Sequence, residues 1–63
     1  MAGSTIYEVF ARKGAEEPLT HLGSVNALSD ALAKDYALSL YAEDAAFVEM
    51  VVVARKALHP ISL

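Results

Sequence analysis

Sixty-three residues without a cysteine make one domain at most, and neither a disulfide framework nor a cysteine–histidine zinc cluster is available to hold it. The net charge is −3 and the five lysines and arginines form no stripe, which argues against a nucleic-acid partner, since such binding draws its affinity from phosphate neutralisation. Hydrophobic residues make up 56% of the chain, above the usual share of about 45–50%. A fold this small has little interior for them, so apolar surface is expected outside the core, marking an interface with another chain.

In chain order, Met1 to Ser4 reads as a disordered leader. Thr5 to Lys13 (TIYEVFARK) reads as a strand, rich in aromatic and β-branched residues. Ile6, Glu8, Phe10 and Arg12 line one face, and Tyr7, Val9, Ala11 and Lys13 the other. Apolar groups on both faces make this the central strand. Gly14 to Pro18 (GAEEP) is turn chemistry. Leu19 to Asn26 is a second strand, close enough to the first to form an antiparallel hairpin. Gly23 within it signals a bulge or a close backbone approach, with a simple bend before the helix as the alternative.

Asn26 is placed to cap a helix from Ala27 to about Ala42, with Ser29 as a competing cap. Leu28, Leu32, Ala33, Tyr36, Ala37 and Leu40 share its apolar side, and Asp30 and Lys34 are ordered for a pair one turn apart. Glu43 and Asp44 sit at the negative end of the helix dipole and are expected to stop it. Ala46 to Ala54 (AFVEMVVVA) is a third strand whose near-continuous apolar run calls for cover on both sides. The result is an α+β fold, β-β-α-β, with a three-stranded antiparallel sheet in the order 2-1-3 and one helix on one face. One helix leaves the other face to another chain or to the C-terminal tail, Arg55 to Leu63, which is too short to cover a sheet well, and a dimer or larger assembly is expected. Tyr7, Val9, Phe47, Met50 and Val52 are the candidate interface residues.

Chemistry-bearing patterns are sparse. The glycines at 3, 14 and 23 form no phosphate loop, no G-x-S-x-G elbow occurs, and no Glu-x-x-His supplies a di-iron or zinc site. No catalytic residue, cofactor or metal ligand is therefore assigned. His21 and His59 lie in separate segments, and His21 reads as a hydrogen-bonded structural residue. Tyr7, Tyr36 and Tyr41 read as packed rings with wet hydroxyls. Glu8 and Arg12 could each pair with a neighbour on their strand face. The longest apolar run, Met50 to Ala54, falls far short of the roughly 20 residues that span a bilayer. With no basic-then-apolar signal peptide, a cytoplasmic protein without a membrane partner is expected.

Tyr7-Glu8-Val9-Phe10 followed by Arg12, then His21-x-Gly23-Ser24-Val25 and Ala27, resembles the PaaB family. These are small subunits of the phenylacetyl-CoA epoxidase (ring 1,2-oxygenase) complex of bacterial phenylacetate degradation. The similarity continues through Ala33, Ala37 and Tyr41, resumes at Val52-Val53, and runs without gaps from Tyr7 to about Leu58. Three features depart from the family: Ala42-Glu43-Asp44 stands where a basic pair often follows the tyrosine, Val51 stands where tryptophan is frequent, and members usually carry a longer C-terminal segment. The resemblance implies a single PaaB-like domain over residues 1–63 and a non-catalytic role. In that oxygenase another subunit carries the di-iron centre, another supplies electrons from NADPH, and the PaaB-like subunit bridges the assembly. The alternatives are a stand-alone homo-oligomer with a regulatory or small-ligand role, and a small enzyme using Tyr and His chemistry.

Overall fold

The structure, a computed structural model, describes residues 3–42 and 46–62. Strand β1 (Thr5–Arg12) pairs antiparallel with β2 (Thr20–Ala27) on one side and with β3 (Glu49–Ala54) on the other. The sheet order is therefore β2-β1-β3, with the sequence's central strand in the centre. Helix α1 (Asp30–Tyr41) crosses from β2 to β3 over one face, and a 3-10 turn, Arg55–Ala57, follows β3. The hairpin turn closes where the Glu17 amide donates to the Gly14 carbonyl at 3.0 Å. The expected stop signal at Glu43 and Asp44, and the first two residues of the expected leader, lie outside the described residues.

The helix starts later than Asn26 implies. Strand β2 continues to Ala27, which pairs with Thr5 and is buried, so residues 26 and 27 are spent on the sheet. Ser29 is the cap: its backbone is extended, at φ −153 and ψ 163, and its side chain accepts from the Leu32 amide at 3.2 Å. Leu28 is thus off the helix and exposed. The buried stripe is narrower than the pattern suggests. Only Ala33 and Ala37 are buried, with Leu32 and Tyr41 packed at the margin, while Tyr36 and Leu40 face outward. Two alanines one turn apart let the helix settle close onto the sheet, and the leucines around them are left at the rim. Asp30 accepts a hydrogen bond from the Tyr7 hydroxyl at 2.7 Å rather than pairing with Lys34, tying the first helical turn to β1.

Strand β3 is also shorter than expected, beginning at Glu49; the Val48 amide already donates to the Arg12 carbonyl at 2.9 Å. The core cluster is Tyr7, Val9, Val25, Ala27, Ala33 and Ala37. Val9 is its centre and has no exposed surface. This removes Tyr7 and Val9 from the interface set. Tyr7 and Val9 lie beneath α1, and Met50 and Val52, half-buried, pack against the same core on the same face. Side chains alternate along a strand, so choosing one set as helix-facing hands the opposite set to the open side. Phe47, in the segment before β3, is half-buried.

Candidate functional site

The face of the sheet away from α1 is the most distinctive surface. From the registers, Ile6, Glu8, Phe10 and Arg12 of β1 lie there, beside Asn26, Ser24 and His21 of β2 and Val53, Val51 and Glu49 of β3. Two ion pairs interrupt its apolar ground. Arg12 pairs with Glu49, its cross-strand neighbour, and also reaches the Glu17 carbonyl in the hairpin turn at 3.3 Å. Glu8 sits mid-strand and is buried. Its Oε1 meets His21 Nε2 at 2.7 Å, and Arg55 donates to its Oε2.

Both carboxylate oxygens of Glu8 are thereby engaged. The Arg55 guanidinium, and next to it the His21 ring, hold its carboxyl below the usual glutamate range, against the opposing effect of burial. A carboxylate held in this way is a weak proton acceptor and a firm anchor. It fixes two side chains that keep about half their surface exposed, 54% for His21 and 53% for Arg55. The His21 ring also lies against Phe10, with centroids 5.0 Å apart. On the opposite face the Tyr7 hydroxyl is pushed up in pKa by its hydrogen bond to Asp30, with burial adding to it.

A β-bulge puts His21 in this cluster. Val9 pairs with Gly23, but Phe10 pairs with His21, leaving Leu22 as the extra residue. In an unbroken ladder Leu22 would oppose Phe10 and His21 would fall on the helix side. The bulge reverses both assignments, sending Leu22 to the core and His21 to Glu8. Gly23 also allows a close approach, because a Cβ there would overlap the Tyr41 hydroxyl, which donates to the Ser24 carbonyl at 3.3 Å. Both halves of the expectation for Gly23 therefore hold at one place.

The resemblance residues divide between three tasks. Tyr7, Val9, Ala27, Ala33 and Ala37 build the core. Glu8, Phe10, Arg12 and His21 form the open face, and Gly23, Ser24 and Tyr41 dock the end of the helix. Sequence reasoning missed Arg55 and Glu49 as the partners of Glu8 and Arg12. The Arg12–Glu49 pair is recoverable once the β1–β3 register is known. Arg55, 47 residues from Glu8, has no local signal.

Among the described residues, no group of three or more His, Cys, Asp or Glu is placed to hold a metal ion, and no helix is long and apolar enough to cross a membrane. Comparison with protein-family models, with curated proteins and with solved structures finds no match to this chain.

Proposed function

We propose that this chain is a non-catalytic accessory subunit that acts by protein–protein contacts, in an oxygenase assembly of the phenylacetyl-CoA epoxidase type. The observation that carries the contact role is the sheet face that α1 leaves free, where Phe10, Val51 and Val53 lie beside a fixed Glu8–His21–Arg55 cluster. A mixed face of this kind, with aliphatic and aromatic groups beside charged side chains held in fixed positions, offers apolar contact area together with oriented polar groups for a partner. The class of partner comes from the sequence resemblance alone. On this reading the chain works in the cytoplasm, carries no cofactor, binds neither nucleic acid nor membrane, and associates with itself as well as with oxygenase subunits.

Gentle affinity purification of the tagged chain from its native host tests the proposal. Oxygenase subunits are expected in the eluate. Phe10→Asp, which charges the open face without touching the core cluster, should abolish their recovery, while Leu40→Asp on the exposed side of α1 should leave it intact. Recovery of the wild-type chain without any oxygenase subunit overturns the assignment.

A further inference from the structure

The two edges of this sheet are built differently. The β2 edge carries the bulge at Leu22 and exposes Thr20, His21, Ser24 and Asn26, features that blunt an edge against pairing. The β3 edge has no bulge, and its one exposed polar residue is Glu49 at the start of the strand. Its sequence, EMVVVA, contains no proline or lysine, its pairing with β1 runs without a register shift, and among the described residues β1 is its only strand neighbour. No backbone hydrogen bond among those of the turns and loops of the described residues reaches it from outside the sheet. Helix α1 packs more closely on β2 than on β3, leaving a groove along β3 lined by Lys34, Ala37, Leu38, Met50, Val51 and Val52. An apolar edge of this kind is a template for another strand.

We infer that β3 pairs antiparallel with β3 of a second copy of this chain, with the two-fold axis at Val52, giving one continuous six-stranded sheet. Charge selects both the occupant and the register. With the axis at Val52, Val52 faces Val52 of the second copy, Val51 faces Val53, Met50 faces Ala54, and Glu49 comes to the end of the partner strand, where Arg55 opens the 3-10 turn. Glu49 and Arg55 retain 43% and 53% of their side-chain surface in the single chain, so both are accessible for this pairing. The intrachain pairs then extend into a row running Arg12, Glu49, then Arg55 and Glu8 of the second copy, with opposite charges adjacent throughout. Moving the axis to Val51 sets Glu49 against Val53, and moving it to Val53 carries Glu49 past the end of the partner strand and beyond Arg55. An axis between residues would join the open face of one copy to the helix-bearing face of the other. Only the Val52 register keeps both helices on one side, joins the two open faces, and pairs every charge along the row. This deepens the self-association proposed above and rests on that part of the reading alone.

The chain has no cysteine, so a single introduced thiol reports the register. Directly opposed residues of an antiparallel pair have Cα atoms about 4.5–5.5 Å apart, within reach of a disulfide. Light scattering should give twice the chain mass at about 100 µM, a concentration that populates a dimer of micromolar affinity. Under mild oxidation Val52→Cys should cross-link more than about tenfold faster than Asn26→Cys on the other edge, because its thiols are already paired at high effective concentration. Isotope-filtered NOEs on mixed labelled and unlabelled wild-type chain should connect Val51 to Val53 of the second copy, a readout that survives even if a cysteine variant fails to fold. A monomeric mass overturns the self-association, and a monomer that takes up an added extended peptide along β3 gives the edge to a foreign strand instead. A dimer with equal cross-linking rates and no Val51–Val53 contact overturns the β3 pairing alone.

Discussion

Glu8 is the residue on which the open face depends. Its carboxyl is depressed by Arg55 and His21, so the folded chain binds its proton less readily than the unfolded chain does. The stability this supplies is fully present above the ordinary glutamate pKa and is lost as pH falls through the depressed folded value. Acid titration of the unfolding midpoint should show that loss, and Glu8→Gln should flatten it while lowering stability at neutral pH. An unchanged acid limb in Glu8→Gln would show that the carboxylate is not held in this way. Gly23 offers a second check. An alanine there must displace the Tyr41 ring and break its hydrogen bond to the Ser24 carbonyl. In a Tyr41→Ala background the three atoms nearest to that Cβ are gone. A double-mutant cycle by chemical denaturation should therefore read a coupling of about 1 kcal/mol. Additive effects would mean that the ring does not pack over Gly23.

At the level of elements, the helix start is decided by Ser29. Ser29→Ala removes the acceptor for the Leu32 amide and should cost about 1 kcal/mol. Asn26→Ala, on an exposed position of β2, should cost far less, and equal losses in denaturant melts would reinstate the earlier cap. Asn26 and Ser29 are both good caps by residue type, and only the pairing of Ala27 with Thr5 separates them, a contact 22 positions apart that no local pattern carries. The strand order was legible for the opposite reason. A short Gly-to-Pro turn forces β1 and β2 together, and the right-handed crossover then leaves β3 the far side of β1. Sheet polarity was not legible, since β1 and β3 are apolar on both faces and a period of two gives two equal readings. In β2 the bulge at Leu22 inverts the parity midway, with Gly23 as its only mark in the sequence. The Glu8–His21–Arg55 cluster depends on that inversion and on a residue beyond β3, so its parts could be read but not its assembly.

As a whole the molecule is one helix on a three-stranded sheet, about 35 × 34 × 14 Å, with a core whose largest fully buried side chain is a single valine. Two layers of this size remove little apolar surface from water, and Leu28, Leu38, Leu40 and Ile61 all remain exposed. Pairing of two β3 edges would double the length of the sheet, close the grooves beside Leu38, and add backbone hydrogen bonds that the single chain leaves to water. If the folded state is mainly a dimer, its stability depends on concentration, because mass action favours the form that associates. A tenfold rise in concentration is worth about 1.4 kcal/mol per dimer, or about 0.7 per chain. For a domain of this length, that corresponds to a rise of roughly 3–6 °C in the thermal midpoint per decade. Melting curves by circular dichroism over about two decades should show this slope. Val52→Lys, which places two like charges at the two-fold axis, should remove the slope and leave a lower, concentration-independent midpoint. A flat midpoint in the wild-type chain would instead mean that this small core is sufficient alone, and that the apolar β3 edge stays unpaired in solution.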